Sequence, residues 1–355
     1  MRKPPATTTL DFGCRLLAVL SISFALNLPC HAVETLRVLA WSGYVDSDLV
    51  KVFERHFDVH VEVSLVSSDD VLREKIGANQ GGDFDVFAAN TAEMSYYISR
   101  RLIIPLQLSN IPNTAHQLAR FRDLQSIPGI AEQGQVYAIP YTFSEMGLIY
   151  DRKQFKEPPT SMAAMWDTQY KGRVLAFDTS SHNFSIASLL LGDSPFQIEE
   201  KQFSKVAKHL VALRRNVLTF YTRPEESVQL FRKHSVALLF ANYGGQQLKQ
   251  LREVGADVGY VIPREGALAW LDCWAITRGT KNQRLAESWI NYMLESNVSG
   301  ALTLRQGLAN TIEASPLASD IDKLIWLKPV ENAQRREQLW SNIISGDLPH
   351  KLLMP

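Results

Sequence analysis

The first ninety residues alternate short β-rich runs with segments of helical periodicity, and this order strongly limits the possible folds. Strand-like runs occupy residues 36–41, 59–63 and 84–88. Between them, residues 48–57 and 69–76 place their apolar side chains on one face of a helix. A β-α-β-α-β order needs crossover connections, so it predicts a mainly parallel sheet with helices on both faces.

The same alternation continues through the rest of the chain, whose 355 residues suggest about two domains. Further strands are predicted at 135–141, 146–150, 174–177, 236–240, 258–262 and 269–276. Further helices are predicted at 184–192, 198–213, 246–253, 285–295 and 298–305. The sequence thus predicts an α/β protein of two similar units, between which the chain crosses more than once.

Candidate site residues follow the predicted strands, because open α/β sheets bind ligands at the carboxyl ends of their strands. They are residues 41–44, 67–70 and 90–93. Trp270, Asp272 and Trp274 alternate along one strand, so they are expected to point to one face. An aspartate buried there needs a partner, either a bound cation or a cross-strand arginine.

Composition and motifs exclude several classes of function. Lys plus Arg and Asp plus Glu both number 37, so no basic excess favours nucleic acid as a partner. The eight histidines lack metal-ligand spacing, and no nucleophile motif such as Gly-x-Ser-x-Gly occurs. We therefore expect no metal, no cofactor and no enzymatic activity.

The N-terminus has the pattern of a secretory signal peptide over residues 1–32. Arg2 and Lys3 precede an apolar stretch at residues 16–28, and Ala32 supplies a small residue before the expected cleavage site. Of the three cysteines only Cys273 then remains, so the mature chain would lack an internal disulfide. Export without disulfides favours a bacterial periplasm.

Six short motifs occur in a fixed order along the chain: WSGYV at 41–45, SDDVL at 68–72, FDV at 84–86, YAIPY at 137–141, IPREG at 262–266 and WLD at 270–272. In this order and spacing, the chain resembles the periplasmic polyamine-binding proteins, the spermidine/putrescine-binding branch of the solute-binding proteins of ABC transporters. The resemblance covers roughly residues 35–310. It implies a two-lobed periplasmic binding protein of type II, with the ligand in the cleft between the lobes. Carried over, lobe one would comprise 34–140 plus 273–307, and lobe two 141–272 plus 308–355.

The resemblance also implies a site for a cationic amine, with carboxylates for the ammonium groups and aromatic faces for the methylene stem. The positions that match or replace the family's ligand-binding residues are Trp41, Tyr44, Asp178, Phe240, Trp270 and Asp272. Relatives place further acids shortly after Asp178, where this chain has Thr179, Ser180, Ser181 and His182. The candidate substitutes are Asp69, Glu93 and Glu145.

Three further side chains are not expected to contact the ligand. His182 is expected to be a hydrogen-bonded loop residue rather than a metal ligand. The pair Arg335 and Arg336 is expected on a solvated helix face.

The resemblance implies an inner-membrane ABC permease as the partner that receives the ligand. The alternative is a sensor that acts on the periplasmic domain of a membrane-bound cyclic-di-GMP enzyme, as norspermidine-sensing members of the family do. The ligand stays open between spermidine, putrescine, norspermidine and other amines. An exported enzyme on the same scaffold is the competing class, and no acid/base pair at recognisable spacing favours it.

Overall fold

A computed structural model of the chain describes residue 1, residues 33–314 and residues 323–346. The predicted signal peptide therefore lies outside the described residues, apart from its first one. Among the described helices, none combines the length and the apolar character that a membrane crossing demands.

The described strands are β1 (Glu34–Trp41), β2 (Val59–Val66), β3 (Val86–Asn90), β4 (Ala131–Glu132), β5 (Gln135–Val136), β6 (Ala138–Met146), β7 (Leu148–Asp151), β8 (Val174–Phe177), β9 (Val217–Tyr221), β10 (Leu238–Phe240), β11 (Val258–Val261), β12 (Ala267–Ile276), β13 (Ala309–Asn310) and β14 (Leu324–Trp326). The described α-helices are α1 (Ser47–Phe57), α2 (Asp69–Gly77), α3 (Thr91–Ser99), α4 (Ala119–Arg122), α5 (Ser180–Leu190), α6 (Glu200–Asn216), α7 (Pro224–Lys233), α8 (Gly244–Glu253), α9 (Gln283–Met293), α10 (Ser296–Gln306) and α11 (Ala333–Ser345). The predicted strands and helices are present, with ends shifted by a few residues.

Two large sheets organise these elements. The first has the strand order β13-β6-β12-β3-β1-β2, with β14 beside β12, and the second has the order β11-β7-β10-β8-β9. The two-lobed α/β architecture is thereby confirmed. Each sheet, however, is mixed rather than mainly parallel, since β12 is antiparallel to β3 and β6, and β7 is antiparallel to β10 and β11.

The chain passes from the first sheet to the second at Gly147, between β6 and β7, and returns between β11 and β12. Gly147 donates its backbone N–H to the Tyr260 hydroxyl over 3.1 Å. A side chain at Gly147 would collide with the same tyrosine, because an added Cβ would lie 2.6 Å from its ring. The close packing of backbone and Tyr260 thus fixes this crossing.

The boundaries predicted for the lobes fall inside two strands. Strands β6 and β12 lie wholly in the first sheet, so the predicted changes at 140/141 and 272/273 would each divide one strand. After residue 308, β13 and β14 also join the first sheet, whereas α11 packs on α5 and α6 beside the second. We propose 34–146, 267–314 and 323–327 as lobe one, and 148–261 plus 333–346 as lobe two.

Local capping brings the starts of two helices to one edge of the first sheet. Helix α2 begins after β2 because the Ser68 hydroxyl accepts the N–H of Val71 over 3.2 Å. Helix α3 begins after β3 because the Asn90 side chain accepts the N–H of Glu93, also over 3.2 Å. Both first turns therefore lie at the carboxyl ends of parallel strands, beside the end of β1 at Trp41.

Candidate functional site

A cavity of about 960 Å³ lies between the two sheets. On the first lobe it is lined by residues that follow β1, β2 and β3 and by residues of β12; on the second lobe, by residues that follow β8 and β10 and by α11. Seven of the nine predicted site residues line it: Trp41, Tyr44, Asp69, Glu93, Asp178, Trp270 and Asp272. The volume lies within the usual range for small-molecule sites.

Asp272 forms the chemical centre of the first-lobe wall. Its side chain is 5% exposed, and Oδ2 accepts a hydrogen bond from the Tyr44 hydroxyl over 2.6 Å. No lysine, arginine or histidine of the described residues forms an ion pair with it. Burial raises the pKa of Asp272 to about 7, and the Tyr44 hydrogen bond offsets only part of that rise. The cross-strand arginine that would neutralise this carboxylate is absent from the described part of the chain.

Aromatic rings flank this carboxylate. The ring centroids of Tyr44 and Trp270 are 6.4 Å apart. The Trp270 indole N–H donates to the carbonyl of Asn242 over 3.0 Å, and that of Trp41 donates to the carbonyl of Ala88 over 3.0 Å. Because both indole N–H groups bond to the protein, neither is available as a donor to a ligand.

A second acid lies beside the first. Asn90 is directly opposite Asp272 in the β3–β12 pairing, and its side-chain amide donates to Asp69 Oδ1 over 3.3 Å. Burial raises the pKa of Asp69 well above its ordinary value, and the nearby charges of Glu93 and Asp272 add to that rise. Glu93 also lines the cavity, but Arg73 binds both of its oxygens over 2.5 and 2.6 Å. Glu93 is thus neutralised within the protein, whereas Asp69 forms no ion pair within the described part of the chain.

Several polar groups of the second-lobe wall already have partners. Asp178 Oδ1 accepts the indole N–H of Trp340 over 2.8 Å. His182 lies in the first turn of α5, and its Nδ1 is 2.9 Å from Asn242 Oδ1. Burial lowers the pKa of His182 to about 4, so the imidazole is neutral at physiological pH.

Arg336 overturns the expectation of a solvated helix face. It is completely buried and donates to both oxygens of Glu331, to Ser185 Oγ and to the carbonyls of Ser181 and Pro195. Its five N–H groups are all used, because α11 packs this side against α5. The expectation holds only for the neighbouring Arg335, which stays partly exposed.

Two predicted site residues, Glu145 and Phe240, lie outside the cavity. In the antiparallel β6–β12 pair, Glu145 is opposite Ala269, whereas Trp270 and Asp272 are opposite other residues of β6. Successive strand residues point to opposite faces, so Glu145 points away from the face of Asp272. Phe240 is fully buried at the end of β10, and the cavity begins only with Asn242 and Tyr243.

Trp274 also lies away from the cavity, although it follows Trp270 and Asp272 in the alternation. The β6–β12 register shifts between Asp272 and Cys273. Trp274 is fully buried and packs against Tyr141 and Trp289, with centroids 5.4 and 6.2 Å apart. Within the described ranges, no cluster of three or more histidine, cysteine or acidic side chains could hold a metal ion.

Trp340 is a site residue that the sequence did not indicate. It lies 162 positions from its partner Asp178, on a helix that follows the last motif of the family resemblance. Its ring also packs edge-on against Phe220, with a centroid distance of 5.0 Å. Arg336 and Trp340 are four residues apart, which places both on one face of a helix. This spacing is the local signal that could have indicated their place in the second-lobe wall.

The comparison with known families accounts for this architecture. A model of the bacterial extracellular solute-binding protein family matches residues 48–324. The chain belongs to this family. Its members bind solutes and are not enzymes.

Individual relatives are distant but extensive matches. Spermidine/putrescine-binding periplasmic protein 1 of Haemophilus influenzae is 25% identical over 286 residues, which cover 80% of this chain and 77% of that protein. The putrescine/cadaverine-binding protein of Pseudomonas aeruginosa is 22% identical and covers 88% of this chain and 94% of that protein. The TpPotD lipoprotein of Treponema pallidum shares the fold with a TM-score of 0.76 at 17% identity, covering 87% of this chain and 99% of that structure.

Proposed function

We propose that this protein captures a polyamine or a related cationic amine in the periplasm, by closure of two lobes, and delivers it to an inner-membrane ABC permease. The observation that carries the proposal is the carboxylate of Asp272, buried at the cavity wall without a cationic partner among the described residues. A buried carboxylate is costly unless a cation or strong donors satisfy it. A ligand ammonium that enters the cavity would supply that cation.

The surroundings favour an ammonium on an aliphatic stem over a metal ion. Tyr44 and Trp270 lie in the same cavity wall as Asp272, and aromatic faces attract organic cations by about 0.5–2 kcal/mol each. The same faces exclude water from methylene groups, which adds about 0.8 kcal/mol for each buried CH₂. Asp69 provides a second carboxylate at the same wall, for the same ammonium or for the next one along the stem.

The two-lobed fold supports capture by closure. The cavity is lined from both lobes, and the chain crosses between the sheets at Gly147 and again between β11 and β12. A direct contact between the lobes already exists where the Ser42 hydroxyl lies 3.3 Å from a carboxylate oxygen of Glu225. A ligand that contacts both walls binds the closed state more tightly and therefore shifts the population toward it.

The test is a thermal-shift and calorimetric titration of the purified protein with putrescine, spermidine, norspermidine and spermine, and with a panel of amino acids. A ligand that binds only the folded state raises the melting temperature as its concentration increases. We expect at least one amine to do so with the wild type and not with Asp272→Ala. The proposal fails if no amine binds, or if Asp272→Ala binds as tightly as the wild type.

Uptake experiments distinguish delivery from signalling. Deleting the gene should abolish import of the amine that the purified protein binds. If import continues while cyclic-di-GMP levels stop responding to that amine, the sensor alternative replaces the delivery step.

A further inference from the structure

His182 is a buried group of the cavity wall that the proposed function does not yet use. It lies in the first turn of α5, four residues after Asp178, and its side chain is 7% exposed. Thr179, Ser180 and Ser181 lead from Asp178 to this histidine. The second-lobe wall therefore has two carboxylates, Asp178 and Glu337, and one imidazole.

The hydrogen bond to Asn242 fixes which imidazole nitrogen carries the proton. Asn242 is itself held in place: its N–H donates to the Tyr221 hydroxyl over 3.0 Å, and its carbonyl accepts from Trp270. Its side-chain oxygen lies 2.9 Å from His182 Nδ1, so Nδ1 donates. In a neutral imidazole that donates from Nδ1, Nε2 is a hydrogen-bond acceptor.

The imidazole stays neutral because of its surroundings. Desolvation disfavours the charged ring, and the buried guanidinium of Arg336 opposes a second positive charge nearby. Arg336 is held beside it by the carbonyl of Ser181, the residue before His182. Arg336 itself is not a ligand group, since its five N–H groups already have acceptors.

Nε2 has no hydrogen-bond partner among the described residues, and it is not one of the fully enclosed unpartnered atoms. It is therefore still reachable from the cavity that His182 lines. When a ligand closes the cleft and removes water, an acceptor in this position must receive a new donor or remain unsatisfied at a cost in affinity.

We propose that His182 Nε2 accepts a hydrogen bond from an N–H of the bound amine, so that the second lobe recognises an amine hydrogen with a neutral acceptor. This inference rests on the proposed function and sharpens its substrate class. The group bound at this wall is a primary or secondary amine rather than a quaternary ammonium, which has no N–H to donate. Charge recognition remains with Asp272 and Asp69 on the other lobe.

The test uses calorimetry with spermidine and putrescine on the wild type, His182→Phe and His182→Gln. The Phe variant keeps a ring of similar shape without the acceptor, and the Gln variant keeps an acceptor. We expect His182→Phe to weaken binding by about 10–100-fold, and His182→Gln to recover part of that loss. The matched control is His209→Phe, because His209 stacks on Trp166 and does not line the cavity.

A ¹⁵N spectrum of the histidine rings gives a readout that a purely structural role would not move. The Nε2 signal of His182, identified by its loss in His182→Gln, should be that of an unprotonated nitrogen and should shift when amine is added. Unchanged affinity of His182→Phe, or a proton on Nε2 in the complex, would overturn the inference while wild-type binding persists. Absence of wild-type binding to either amine would instead refute the proposed function, and this inference with it.

Discussion

Buried charged groups of the two cavity walls differ in whether they form ion pairs. On the first lobe, Asp272 and Asp69 are acids with raised pKa values, and neither forms an ion pair among the described residues. On the second lobe, Arg336 uses every donor, and Asp178 is held by Trp340. These acids of the first wall can therefore receive positive charge, whereas Arg336 and Trp340 hold the shape of the second. Buried polar groups without a partner can still bind a ligand, whereas groups that are already paired stabilise the fold.

The largest expected effect falls on the second wall. Arg336→Met should lower the free energy of unfolding by about 3–5 kcal/mol, because it leaves the Glu331 carboxylate without its buried partner. Chemical denaturation measures this change. The adjacent Arg335→Met is the matched control and should change stability far less, since Arg335 is partly exposed and pairs with the exposed Glu200. Equal losses in the two variants would contradict the contrast between the walls.

Asp272→Asn should have opposite effects on binding and on stability. Loss of the carboxylate should weaken amine binding by at least about 2 kcal/mol, or roughly 30-fold. The folded-state pKa of about 7 lies above the ordinary 3.8, so folding takes up a proton between these values. The stability that Asp272 contributes is complete at low pH and is lost as the pH rises through 7. Without amine, the variant should therefore be more stable at pH 8 by about 2–4 kcal/mol.

Asp85→Asn is the control for that prediction. Asp85 is as buried as Asp272, at 4% exposure, but it accepts three hydrogen bonds from Arg37. Burial raises the pKa of Asp85, yet the Arg37 hydrogen bonds outweigh it and lower the pKa below its ordinary value. Asp85→Asn should thus destabilise the protein where Asp272→Asn stabilises it, and it should leave amine affinity unchanged. The same sign for both variants would show that Asp272 has a partner after all.

Trp270→Ala tests the aromatic part of the first wall. Loss of its ring face should weaken amine binding by about 1–3 kcal/mol in calorimetry. Trp340→Ala is the equivalent change in the second wall, where the indole orients Asp178. It should cost less affinity than Trp270→Ala. A larger loss with Trp340→Ala would move the main cation site to the second lobe.

The smallest expected effect is the change in amine affinity for each unit of pH. An ammonium binds the ionised form of Asp272, so protons compete with the ligand below the pKa of about 7. Affinity should fall about tenfold for each pH unit below 7 and level off above pH 8. The slope should shrink in Asp272→Asn, which has no proton to release. His182 does not contribute to this slope above pH 5, because its pKa is about 4.

Residues that act within one strand or helix were predictable. The alternation of Trp270 and Asp272 placed both on one face, and the polar residues after β2 and β3 were expected at the site. These predictions depend on the periods of strands and helices, which are properties of the local backbone. The lobe boundaries were harder, because hydrogen bonding between distant strands decides to which sheet β6 and β12 belong.

Residues whose role depends on which face is covered could not be predicted. In the sequence, Glu145 and Asp69 are both candidate acids for the site. The pairing of β6 with β12, however, turns Glu145 away from the cavity. Arg336 has the same local sequence context as Arg335, yet the packing of α11 on α5 buries it completely. In both cases the deciding contact joins segments that are far apart in the sequence.

The sequence by itself determined the α/β class, the positions of most strands and helices, the family motifs and the first-lobe wall around Asp272. Each of these follows from side-chain periodicity or from residue types at short spacing. The tertiary structure alone decided that, among the described residues, Asp272 forms no ion pair and Nε2 of the neutral His182 has no hydrogen-bond partner, and that α11 lines the cavity. The burial of a side chain and its hydrogen-bond partners depend on the residues that surround it, and these come from distant segments of the chain.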